Sequence, residues 1–232
     1  MSDRHAARRQ KLLKIVRQNE LEAMLVTGVA NVTWLTGFSG NSSWLLLTPD
    51  RCVLISDSRY DTQIAEECPG LETLIRVTPQ SIVEAASKLI NQVKPASLGF
   101  EGQLLCFDTV EEIAGTLKTT TLVSLPGEVE MLRAVKDAGE IAQIREAVRL
   151  AARGFDFLRA SLTADMTELN AAHELEHAMR RFGADGVSFP PIIAVDDRAA
   201  LAHYHPGQRL MGGAKLLLVD WGAQTVSRYK SD

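Results

Sequence analysis

The chain has 232 residues, 46% hydrophobic and 23% charged, with a net charge of −4. This length allows one large domain or two small ones with a substantial core. The ordinary composition excludes a disordered or fibrous chain, and the acidic balance excludes the broad basic field of a nucleic-acid-binding protein. Cys52, Cys68 and Cys106 are far apart and form no CxxC pair. They read as buried small hydrophobes in a reducing, cytoplasmic setting rather than as a zinc knot or disulfide frame. Near the N-terminus, Arg4, Arg8, Arg9, Lys11, Lys14 and Arg17 interrupt the apolar residues, so a signal peptide is not expected. No window approaches the ~18 apolar residues of a membrane span.

In chain order, Arg4 to Gln18 has the pattern of an amphipathic helix and Ala23 to Thr27 that of a buried strand. Asn31 to Gly40 is apolar but punctuated by Gly37 and Gly40, which predicts a sharp turn. Ser43 to Thr48 and Cys52 to Ser56 read as strands joined at Pro49-Asp50. Asp57 opens a helix to about Glu67, Leu71 to Val77 is a strand, and Thr78 to Gln92 is a helix with Pro79 in its first turn. Ser97 to Glu101 is a strand, Phe107 to Leu117 a helix and Thr120 to Ser124 a strand. This alternation describes one α/β domain over residues 1–126. No GxGxxG or P-loop is present, so a nucleotide site is not expected.

Leu125-Pro126-Gly127 marks the expected boundary, and a second domain is assigned to 127–232. Val129 to Ser161 reads as one long helix, and Thr163 to Thr167 cap a second that ends before Gly183. Strands follow at Ile192 to Val195, Leu216 to Asp220 and Gln224 to Tyr229. The last stretch brings two carboxylates, Asp220 and Asp232, to the ends of strands, with His203 and His205 in the preceding loop. Carboxylate oxygens with a histidine nearby are the donors a hard or borderline divalent cation takes. A Gly two residues after Asp220 also suits a plain strand-end turn. His173 and His177 lie four apart on the second helix without an HExxH pattern and read as a solvated face.

Four stretches resemble the creatinase/prolidase/aminopeptidase P family of metallopeptidases. They are Trp34-Leu-Thr-Gly-Phe-Ser-Gly40, Asp57-Ser-Arg-Tyr60, Leu132 to Ile141, and Ser188-Phe-Pro-Pro followed by His203 and Asp220-Trp-Gly-Ala223. The first two favour the Xaa-Pro peptidase branch over the methionine aminopeptidases. The resemblance implies a creatinase-like α/β N-terminal domain with a mixed sheet, followed by the incomplete start of an α+β pita-bread catalytic domain. It implies hydrolysis of the amide bond before proline by a hydroxide shared between two divalent ions, manganese foremost, with cobalt or zinc as alternatives.

By the same resemblance Asp220 and Asp232 are metal ligands, and His203 contacts the substrate or tetrahedral intermediate. The family's remaining His and two Glu ligands would lie beyond Asp232, so this chain alone is expected to be inactive. Here the two Asp stand one position further apart than in the family, which one added residue between Gly222 and Tyr229 would explain. His205, Trp34 and Phe38 are candidate substrate contacts, the aromatic pair across a homodimer, although ordinary core packing explains both rings. Arg59 is expected to pair across a sheet edge. Proline-containing peptides are the expected partner, with no nucleic acid and no membrane. The alternative is a non-catalytic pita-bread module that binds peptides or proteins, which retention of His203, Asp220 and Asp232 disfavours. A creatine-hydrolysing relative, which needs no metal, is disfavoured by the Asp pair.

Overall fold

A computed structural model describes residues 4–232. The chain forms two compact units that divide between Val135 and Lys136. In the first, α1 (Arg4–Gln18), β1 (Ala23–Val26) and α2 (Val29–Thr36) are followed by β2 (Trp44–Leu47) and β3 (Cys52–Asp57). Then come α3 (Asp61–Glu67), β4 (Glu72–Arg76), α4 (Ile82–Val93), β5 (Ser97–Phe100), α5 (Phe107–Thr116), β6 (Thr121–Ser124) and α6 (Glu128–Ala134). The strands make one sheet in the order β4-β3-β2-β1-β5-β6. It is mixed: β1–β2 and β2–β3 are antiparallel and the other pairs parallel.

Both faces of this sheet are covered. Side chains alternate along a strand, so Met24 and Val26 pack with Leu12, Val16, Leu35 and Phe38 on one face. Ala23 and Leu25 pack with Ala86, Ile90 and Leu98 on the other. Among the described residues no helix is long and apolar enough to cross a membrane.

Several local expectations change. The stretch expected to turn sharply is instead helix α2, closed by Gly37 at φ 89°. Burial of Val32, Trp34 and Leu35 outweighs the β-preference of its Val and Thr residues. Helix α4 starts at Ile82, after Pro79, because Ser81 and Glu84 form a reciprocal capping box. Arg59 does not pair across the sheet edge. It folds back on Asp57 of its own strand end (2.8 Å), while Arg76, opposite Asp57 in β4, makes the cross-strand pair (3.1 Å). These donors, Arg59 foremost, pull the Asp57 carboxyl down to about 2. Of the cysteines only Cys68 is buried, and Cys106 is exposed.

The long helix expected from Val129 to Ser161 is two helices, α6 and α7 (Ala138–Ser161). Asp137 caps α7 by accepting from Glu140 N (2.9 Å), and Glu140 returns the bond to Asp137 N (2.9 Å). The unit break therefore falls after α6 rather than at Gly127. Val129 is fully buried in the first unit's core, and Asn31 donates to Glu130 (2.6 Å) and accepts from Arg133 (2.7 Å).

The second unit comprises α7, α8 (Glu168–Arg181), β7 (Gly186–Val187), β8 (Ile192–Val195), β9 (Leu217–Asp220) and β10 (Ala223–Gln224). Strands β8 and β9 pair antiparallel, as do β7 and β10. The strand expected from Gln224 to Tyr229 ends at Gln224, because the chain reverses there. Leu150, Leu158, Leu175 and Met179 of the two helices pack against Ile193 and Ala223.

Candidate metal site

Asp220 ends β9, opposite Ile192. The chain runs on through β10 and reverses over residues 225–229. Thr225 N donates to Tyr229 O and Arg228 N to Thr225 O, both at 2.8 Å. Arg228 takes a left-handed conformation, φ 63°. This is the pattern of a tight turn followed by one bulged residue.

The returning segment is fastened by its backbone. Ser231 N donates to Ala223 O (3.0 Å), and Ala223 N donates to Ser231 Oγ (3.0 Å). The Ser188 hydroxyl lies 2.6 Å from Ser231 O and 2.8 Å from Ala223 O. Lys230 Nζ donates to Ser188 O (2.9 Å). A Cβ on Gly222 would lie 2.1 Å from Ser231 O, so this approach requires glycine. Tyr229 donates to the buried Glu140 (3.0 Å), which ties the hairpin to the first turn of α7.

In consequence Asp220 and Asp232, 12 positions apart in sequence, line one cleft of about 310 Å³ with Val148, Ala151, Ala152, Trp221 and Ser231. Trp221 forms its wall, donating to Ala151 O (3.0 Å) and stacking on Phe155 with centroids 4.5 Å apart. Both carboxylates are exposed to solvent. Their oxygens are hard donors of the kind Mn²⁺ or Mg²⁺ accepts. The pair fits as part of a donor set. Among the described residues no group of three or more His, Cys, Asp or Glu side chains gathers at one point.

His203 and His205 are exposed on the loop before β9 and are not among the residues lining that cleft. Sequence reasoning missed Glu168, the first residue of α8, whose side chain is fully buried. One of its oxygens accepts from Val195 N (2.9 Å), and the other from the Tyr204 hydroxyl (2.7 Å) and Gly207 N (3.0 Å). The carboxylate beside it pushes the Tyr204 phenol up from its ordinary value. The legible signal was the Thr167–Asn170 capping pair, which fixes where α8 begins. His173 and His177 face solvent.

Residues 8–135 match the creatinase/prolidase N-terminal domain, and residues 142–232 match metallopeptidase family M24. The chain belongs to the creatinase/prolidase family of metallopeptidases. It is 28% identical over 214 residues to the uncharacterized peptidase YqhT of Bacillus subtilis, covering 92% of this chain and 60% of the relative. An X-Pro aminopeptidase structure from Thermotoga maritima superposes with TM-score 0.86 at 28% identity, over 97% of this chain and 63% of its own. An Xaa-Pro dipeptidase from Bacillus anthracis shares the fold with TM-score 0.91 at 24% identity, over 98% of this chain and 63% of its own. The chain thus spans about three-fifths of the length of these relatives.

In the creatinase N-terminal domain, Trp34 and Phe38 do not face a cleft. Trp34 is 7% exposed and Phe38 0%. The Arg8 guanidinium sits 4.6 Å from the Trp34 ring centre, and Tyr60 meets Phe38 edge-on at 5.5 Å. Both rings belong to the core beneath the sheet, so the candidate role in substrate contact has no surface to act through.

Proposed function

We propose that this protein is an Xaa-Pro peptidase, cleaving the amide bond before proline in dipeptides or short peptides. The observation that carries the reading is the placement of Asp220 and Asp232 on one cleft by the Gly222–Ser231 approach. Membership of a metallopeptidase family supports it. Asp220 and Asp232 would help hold divalent ions through their carboxylate oxygens, with manganese the first candidate and cobalt or zinc also suited to such donors. Bound divalent ions supply a lowered water pKa and Lewis-acid stabilisation of developing charge.

The chain's own residues do the rest. Trp221 and Ala151 wall the carboxylates on their apolar side. His203 would donate a hydrogen bond to the substrate or its tetrahedral intermediate through a ring N–H. We further infer that Asp220 and Asp232 alone bind two ions weakly and need further donors for hydrolysis. A homodimer and a cytoplasmic location belong to the same proposal.

The test is metal analysis combined with an assay on Gly-Pro and a proline-containing tripeptide, using the protein as its own organism makes it. Retained divalent metal is expected, together with proline-dependent cleavage. That cleavage should be abolished by a chelator and reduced at least ~100-fold by Asp220→Asn. A metal-free protein that leaves both substrates intact would sink the reading.

A further inference from the structure

The loop from Leu201 to Pro206 has no regular structure, and its outer side chains are exposed. Its described hydrogen bonds are few. Leu201 N donates to Arg198 O (3.0 Å) and Tyr204 N to Leu201 O (3.2 Å). The third is the Tyr204 hydroxyl to Glu168. The loop's path therefore depends on where Tyr204 is held. Tyr204 turns inward to Glu168, and its neighbours His203 and His205 are exposed.

Glu168 is suited to hold it. Its carboxylate is 0% exposed and accepts three hydrogen bonds, from the end of β8, from Tyr204 and from Gly207. A buried carboxylate is costly unless its oxygens are satisfied, and charge-assisted bonds are stronger than neutral ones. The backbone adds to the grip. Glu168 N donates to Arg209 O and Leu169 N to Gly207 O, both at 3.0 Å, so residues 207–209 satisfy donors that a helix start leaves open. The loop is thus fastened on its C-terminal side by backbone and in its middle by one phenol.

We propose that Glu168 and Tyr204 are positioning residues that set the direction of His203. Neither touches substrate; both act through the histidine. The role for His203 rests on the Xaa-Pro peptidase reading, whereas the tether rests on the geometry alone. A chain that lost the tether would keep its fold and its carboxylate cleft but present His203 over a range of orientations.

The experiment uses the full chain with ¹³C-labelled histidine and two variants, Tyr204→Phe and Glu168→Gln. Tyr204→Phe keeps the ring and deletes only the hydroxyl. It is expected to melt close to the parent, shift the imidazole resonances of His203 and His205, and leave those of His173 and His177 in place. Exchange of the hydrogen-bonded Tyr204 and Gly207 amides is expected to accelerate about tenfold, the worth of one hydrogen bond to a charged acceptor. Glu168→Gln is expected to give the larger acceleration, because one amide oxygen cannot replace all three acceptor contacts. If Glu168→Gln fails to fold, Tyr204→Phe decides the matter. Unmoved His203 resonances with exchange within about twofold of the parent overturn the tether.

In a preparation that cleaves proline dipeptides, Tyr204→Phe is expected to lower kcat with KM near the parent's. A moved His203 with unchanged kcat overturns the positioning role. Absence of any cleavage in the parent fails the peptidase reading, and the resonance and exchange results still decide the tether.

Discussion

The two units treat their strands differently. In the N-terminal unit all four residues of β1 are 0% exposed, because helices cover both faces of a six-stranded sheet. In the second unit β8 is buried at Ile193 and Ala194, yet its partner β9 is only half-buried from Leu217 to Val219, and Leu216 is 56% exposed. Both strands are apolar, so hydrophobicity alone does not separate them. Cover does: a strand is removed from water only where a second layer meets it. Asp220, at the end of the thinly covered β9, is itself exposed. The N-terminal unit is closed by packing, whereas the second, in a chain that spans about three-fifths of its relatives' length, leaves one strand of its pair half-covered.

The sharpest way to break this comparison is to cut a core side chain on the closed side. Phe38→Ala is expected to lower the stability of the first unit by about 3–5 kcal/mol, measured by denaturant unfolding. Leu218→Ala, in the half-buried strand, should cost well under half of that. Equal costs would show that the two sides are packed alike. A near-neutral Phe38→Ala that instead weakened substrate binding would restore the substrate role that its burial denies.

Acid tests the closed unit at its polar edge. The Asp57 carboxyl is held near 2 by Arg59 and Arg76, below its unfolded value of 3.8. Its contribution is present above about pH 4 and is lost as pH falls towards 2. Since Arg59 is largely exposed, about 1–2 kcal/mol is expected rather than the full linkage value. Asp57→Asn should therefore flatten the acid limb of the first unit's stability curve. An unchanged limb would remove the ion pairs from the account.

The smallest expected effect is at the tip of the site hairpin. Arg228→Gly places glycine at φ 63° and should stabilise the second unit by about 0.5–1 kcal/mol, read as a small rise in its melting temperature. A loss of stability there would mean that the Arg side chain contributes more than its backbone conformation costs.

Much of this organisation was readable in the residues. Short apolar runs and helical patterns gave β1, β3, α4 and α8 to within a few residues, and Asp220 with Gly222 pointed at a strand end beside a turn. What escaped was set by neighbours far along the chain. Helix α2 carries Val and Thr residues that favour strands, and it is helical because it is packed on nearly every side. The break after α6 was visible as Asp137-x-x-Glu140, but a continuous apolar pattern concealed it. Glu168 looked like any acidic residue in a first helical turn. Its importance comes from Val195, Tyr204 and Gly207, 27 to 39 positions away.

The close passage of Ser231 over Gly222 works as a ruler made of main chain. The spacing between the two carboxylates is set by paired peptide groups below the turn, not by the number of residues at its tip. In this chain the crossing of the two backbones, more than the count of residues between the acids, brings Asp232 to the cleft that Asp220 lines. Gly222 is what lets that crossing close, since any side chain there would meet Ser231 O.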